Sequence, residues 1–125
     1  MKELPRISDA EIEVMKILWE KSPVTSSEIV EKLSETNNWK PQTIKTLIER
    51  LVKKKVVGHE SSGRAYLYKP LVKKSEYASY ESRTFLSKIF DGTLTSMFAH
   101  FVDNQELSKE EYEQLKTILD KREIK

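Results

Sequence analysis

The side chains best suited to chemistry gather in the middle of the chain. Residues 40–74 hold ten Lys and Arg against two acidic residues, Glu49 and Glu60, a segment charge of +8. Within that segment Ile44, Leu47, Ile48, Leu51 and Val52 recur at the spacing of an amphipathic helix. They follow Pro41, whose missing N–H costs nothing at a first helical position. The opposite face is then Gln42, Thr46, Glu49 and Lys53, flanked by Thr43, Lys45 and Arg50. Short hydroxyls and amides at a helix N-terminus, followed by Lys and Arg, suit phosphate oxygens and base edges. A merely solvated helix face has much the same composition, so the face by itself leaves both readings open. Glu49 repels phosphates and is expected to pair with Lys45 and Lys53, four residues to either side, ahead of accepting from a cytosine amino group. Lys53, Lys54 and Lys55 prolong the charge, and Arg64 lies further on, where a hairpin tip can reach a phosphate. Trp39 is expected to anchor the preceding turn in the core rather than to stack on a base.

Other chemistries find little support. The chain has no Cys and two His, His59 and His100, neither at metal-ligand or triad spacing. With no convergent nucleophile, acid–base pair or phosphate loop, neither catalysis nor a metal or cofactor is expected. Residues 1–39 and 75–125 each sum to −3, so the 125-residue total of +2 conceals the basic middle. Absence of a signal-peptide core, of an apolar run of spanning length and of Cys fits a cytoplasmic protein that does not insert into a membrane.

The elements that must position these residues are mostly helical. Ser8-Asp9-Ala10-Glu11 is a capping box opening a first helix that stops before Pro23, and Thr25-Ser26-Ser27-Glu28 opens a second that ends at Asn37 and Asn38. The third runs from Pro41 to about Lys54. Val56 to Glu60 and Ala65 to Tyr68 then change to short β-branched and aromatic runs around Ser61-Ser62-Gly63-Arg64, which reads as a β-hairpin. Three helices and a hairpin, in that order, spell a winged helix-turn-helix over residues 1–72. The predicted class is therefore mainly α.

Residues 73–125 hold three further helical patterns. Ser75 to about Phe90 ends at Asp91-Gly92, with Gly supplying the left-handed residue, and Ser108-Lys109-Glu110-Glu111 is a third capping box, stapled by Leu107 and Tyr112. Phe85, Leu86 and Ile89 on the first, Leu94, Met97, Phe98 and Phe101 on the second, and Leu115, Ile118 and Leu119 on the third form apolar stripes. Three short helices cannot build a sufficient core alone, so this half is expected to dimerise through those stripes. Two-fold symmetry then calls for a palindromic DNA site with one third helix per half-site. A winged-helix adaptor that binds protein through the basic surface is the rival of a different class.

Several motifs carry a family resemblance. Ile7 to Met15 with Trp19, Trp39-Lys40-Pro41-Gln42-Thr43-Ile44-Lys45-Thr46-Leu47, Arg50-Leu51-Val52-Lys53-Lys54, Gly63-Arg64 with Tyr68, and Asp91 to Met97 through Leu107 to Glu111 resemble the BlaI/MecI family of bacterial repressors. The resemblance covers nearly the whole chain. It implies a homodimer on a palindromic operator of double-stranded DNA, repressing β-lactamase or penicillin-binding-protein genes, and released when a membrane-bound sensor protease responds to β-lactam. It also implies DNA contacts from Lys40, Gln42, Thr43, Lys45 and Thr46 and a wing contact near Arg64. The chain departs from the family pattern at Lys40, where Ser is usual, and at Lys55, where Gly is usual. At the expected cleavage site His100-Phe101 replaces Asn-Phe, which leaves a repressor of another regulon without proteolytic induction as an alternative. The copper-responsive branch, with its cysteine-rich tail, is disfavoured.

Overall fold

The computed structural model describes residues 3–124. Its elements run α1 Asp9–Glu20, β1 Val24–Thr25, α2 Ser26–Asn37, α3 Pro41–Lys53, β2 Val57–Ser62, β3 Ala65–Pro70, α4 Lys74–Ile89, α5 Leu94–Asp103 and α6 Lys109–Lys121. The chain forms two compact units, the first ending at Tyr80 and the second beginning at Glu81. That division falls inside α4 rather than ahead of it, because Val72 and Tyr77 belong to the first unit's core.

Local signals set the helix starts. The capping boxes Ser8/Glu11, Thr25/Glu28 and Ser108/Glu111 are complete, each hydroxyl accepting from the third helical N–H while the carboxylate accepts from the cap's own N–H. In the first unit α1, α2 and α3 enclose Val14, Met15, Leu18, Ile29, Leu33, Ile44, Leu47 and Leu51, all nearly without solvent exposure. Each such side chain contributes about 1.5–3 kcal/mol of burial free energy. The hairpin closes this core through Val56 and Val57. Trp19 donates its indole N–H to the Val72 carbonyl at 2.8 Å and packs on Tyr77, tying α1 to the chain beyond the hairpin.

Two details lie beyond the sequence expectation. A two-residue strand, β1, pairs Val24 with Tyr68 and Thr25 with Leu67, so β3 is the centre of a three-stranded antiparallel sheet and not merely half of a hairpin. At the end of α4 it is Asp91, at φ 53°, that first turns left-handed, followed by Gly92 at φ 81°. The Leu86 carbonyl accepts from both Phe90 and Gly92 N–H at 2.8 Å.

Candidate nucleic-acid interface

The third helix is the candidate interface, and its start is built unlike those of α1 and α2. Lys40 occupies the N-cap with no side-chain hydrogen bond, and no acidic residue stands in the first turn. The first-turn N–H groups are therefore not engaged by a cap, and with the helix dipole they favour an anion. Ile44, Leu47, Ile48 and Leu51 are buried, which turns Gln42, Thr43, Lys45, Glu49, Arg50 and Lys53 outward to solvent. Thr46 is half-buried, and its hydroxyl donates to the Gln42 carbonyl at 3.0 Å. Lys40 is likewise exposed beside this row.

The C-terminal end explains Lys55. Val56 N–H donates to Leu51 O at 3.2 Å and Lys55 N–H to Val52 O at 3.0 Å, the paired bonds of a Schellman motif. Lys55 holds the left-handed position at φ 64°, so the helix ends cleanly without glycine, at a steric cost of about 1–2 kcal/mol. Of the three consecutive lysines, Lys53 and Lys55 are exposed, whereas Lys54 turns inward. Its ammonium meets Glu11 Oε1 and donates to the Arg6 carbonyl at 2.8 Å. Glu11 is 1 % exposed. Burial pushes its carboxyl upward, but the Lys54 hydrogen bond, the Ser8 N–H and hydroxyl and the Lys54 charge outweigh that and hold it below the usual carboxylate value. Sequence reasoning recognised Glu11 only as a capping residue and Lys54 only as part of a charge run. No local signal links positions 43 residues apart.

The wing projects Arg64 at a two-residue loop in which Gly63 takes φ 65°, as the first central position of a type II′ turn requires. Register places His59 opposite Tyr68 and Ser61 opposite Tyr66. The rings cluster, with His59 to Tyr66 centroids 4.8 Å apart and edge-on and His59 to Tyr68 5.9 Å. They face α3 across a groove of about 240 Å³ lined also by Ile48, Glu49, Val52 and Lys53. Glu49 does not pair with Lys45 or Lys53 as expected: among the described residues no ion pair within 4.0 Å includes it. It lies instead on the wing side, where burial first, then Tyr66 and Glu49, push the Tyr68 hydroxyl above its ordinary value. Trp39 is half-buried against the core.

The second unit is built differently. Among the described residues no side chain of α5 or α6 is buried. Phe85, Ile89, Leu94, Ile118 and Leu119 are exposed, while Leu86, Met97, Phe98, Phe101 and Leu115 are half-buried. The apolar side of α6, Tyr112, Leu115, Ile118 and Leu119, would be buried if the helix packed fully, but Tyr112 is exposed like Ile118 and Leu119, and its staple partner Leu107 is half-buried. The His100–Phe101 peptide lies in the last turn of α5. The His100 carbonyl accepts from the Asn104 backbone N–H at 3.0 Å and from Asn104 Nδ2 at 2.8 Å. The Phe101 carbonyl accepts from Glu106 N–H at 2.8 Å. Among the described residues no three His, Asp or Glu side chains are grouped to hold a metal ion, and no helix is long and apolar enough to cross a membrane.

A three-stranded wing behind a third helix with an uncapped, polar N-terminus and a basic outer face defines the winged helix-turn-helix class of DNA-binding proteins. The family model described as Penicillinase repressor matches residues 7–121. The chain accordingly belongs to the penicillinase repressor family, the BlaI/MecI repressors, which are transcriptional regulators and not enzymes. It is 42 % identical over 120 residues to the penicillinase repressor of Bacillus licheniformis, covering 96 % of this chain and 94 % of that one. Identity to the methicillin resistance regulatory protein MecI of Staphylococcus aureus strain N315 is 36 % over 116 residues, 93 % and 94 % of the two chains. Among solved structures, the DNA-binding domain of the repressor BlaI matches at TM-score 0.55 and 44 % identity, over 62 % of this chain and 94 % of that one. The same values hold for monomeric Bacillus licheniformis BlaI in complex with the blaP half-operator.

Proposed function

We propose that this repressor acts in the cytoplasm as a homodimer on a palindromic operator, each protomer placing α3 in one major groove and Arg64 beside it. The observation that carries the reading is the α3 surface: open N–H groups at its start, then Gln42, Thr43, Lys45, Thr46, Arg50 and Lys53 along one exposed side. Lys40, Lys45, Arg50 and Lys53 take phosphates or guanine edges, and Gln42, Thr43 and Thr46 lie closest to the bases. The complex of the Bacillus licheniformis relative with a half-operator supports this assignment. Its relatives' names support β-lactamase or penicillin-binding-protein genes as targets.

The second unit's exposed Phe85, Ile89, Leu94, Ile118 and Leu119, with half-buried Leu86, Met97, Phe98, Phe101 and Leu115, support dimerisation, since 45 residues with so little burial gain too little from their own core. A membrane-bound sensor protease that cleaves His100–Phe101 is the proposed inducer. Its substrate must be unwound first, because both carbonyls of that peptide segment are held in helix-terminal hydrogen bonds.

Titration of the full chain against a duplex from upstream of its own gene, with non-specific duplex as competitor, tests the DNA assignment. Lys45→Ala and Arg50→Ala are each expected to weaken binding and lower the slope of log K against log salt by about 0.9 per lost phosphate contact. Unchanged affinity and slope in both variants would remove α3 as the DNA face, and failure of the wild type to outcompete non-specific duplex would favour a protein-binding adaptor.

A further inference from the structure

Three consecutive lysines close the DNA-contacting helix, and they are not equivalent. Lys53 and Lys55 extend into solvent. The Lys54 ammonium spends two of its three donors inside the protein, on Glu11 Oε1 and on the Arg6 carbonyl. Arg6 lies between buried Leu4 and Ile7, so its carbonyl is fixed by their packing. Glu11 sits in the first turn of α1 with its second carboxylate oxygen buried and, among the described residues, without a hydrogen-bond partner. The Lys54 ammonium is therefore the principal compensation for a buried charge, and pulling it outward to a phosphate would strand that carboxylate.

We propose that Lys54 is a positioning residue rather than a DNA contact: with Glu11 it forms a clamp that holds the C-terminal end of α3 against α1 and the N-terminal segment. The clamp rests on the reading of α3 as the DNA face. It fixes the end of the helix opposite to the open N–H groups, so the outward row from Gln42 to Lys53 meets DNA without first being ordered. It also separates the lysine run into two DNA-facing charges and one internal strut.

The decisive property is sign. Removing an acidic group from a DNA-binding protein ordinarily strengthens binding, because less negative charge faces the phosphates. The clamp demands the reverse for Glu11. In the full chain, Glu11→Gln and Lys54→Gln are each expected to weaken binding to the duplex from upstream of its own gene by about threefold to tenfold, the cost of ordering a freed helix end. The double variant is expected to bind no more weakly than either single one. The salt slope should stay at the wild-type value in all three, whereas Lys53→Gln lowers it by about 0.9. Lys54→Arg, which preserves the ion pair, should restore affinity.

A fall in slope for Lys54→Gln like that for Lys53→Gln, tighter binding by Glu11→Gln, or additive losses in the double variant would each overturn the clamp. Circular dichroism identifies a variant that fails to fold, and should Lys54→Gln do so, Glu11→Gln and Lys54→Arg alone still decide the sign and the rescue. If the wild type shows no preference for this duplex, the DNA reading itself falls, and the clamp's role with it, before any variant is compared.

Discussion

The two units are made of similar helices and differ in what the helices bury. α1, α2 and α3 of the first unit have 12, 12 and 13 residues, and α5 and α6 of the second have 10 and 13. Side-chain caps occur in both, with full boxes at α1 and α2 but none at α3, Thr93 accepting from Ser96 N–H at α5, and a full box at α6. Yet every buried apolar residue among those described lies at or before Tyr77. The first unit adds a three-stranded sheet that closes the open side of its helices, and the described residues of the second form no such layer. Good local signals thus produce helices in both places, but among the described residues only the first unit has a core of buried side chains. Ile89 and Leu119 of the second unit are 62 % and 60 % exposed, apolar surface that the proposed dimer would cover.

The sharpest way to break this contrast is truncation within each unit. Leu51→Ala, at a site with no solvent exposure, is expected to cost about 2–5 kcal/mol in chemical denaturation. Leu119→Ala should cost much less in dilute protein, and its effect should grow with protein concentration as dimer stability is lost. Equal, concentration-independent costs would erase the distinction. Next in size, Ile89→Asp combined with Leu119→Asp is expected to yield a sedimenting monomer at micromolar concentration with the far-ultraviolet spectrum of the first unit's helices retained. A dimer in that variant would place the interface elsewhere.

Acid stability sharpens the first unit's side. Glu11 has a folded-state pKa below its unfolded value, so its contribution is present above the usual carboxylate range and is lost as pH falls through the folded pKa. Glu11→Gln should therefore flatten the acid limb of the stability–pH curve, measured by denaturant midpoints. A limb as steep as the wild type's would mean that other carboxylates govern it. The smallest effect is expected at the helix terminus. Lys55→Gly relieves a left-handed residue and should stabilise the chain by up to about 1 kcal/mol, net of the extra freedom glycine gives the unfolded state. A loss of stability would show that Lys55 makes a compensating contact.

Periodicity and caps made most of this architecture legible in the amino-acid order. Ser8, Thr25 and Ser108 act within three residues of themselves, and the Ile44 to Val52 spacing defines the buried side of α3 and hence its exposed polar side. These are short-range effects, complete once a single helical turn forms. Apart from the left-handed Asp91 ahead of Gly92, the missed features join distant positions. β1 is only Val24 and Thr25, too short for any alternation to register, and exists because β3 offers it a partner. Glu49 has lysines at helical spacing on both sides but lies toward the Tyr68 ring on the wing, which the third helix's own sequence does not contain.

The amino-acid order alone determined the helices, their starts, the basic middle segment and the polar row that DNA would meet, because each depends on neighbours within about one turn or on simple charge count. Tertiary structure decided which charges in that segment are available. Lys53 and Lys54 are adjacent and chemically identical, yet one faces solvent and the other closes on a buried Glu11, because burying that carboxylate without an opposite charge would cost several kcal/mol.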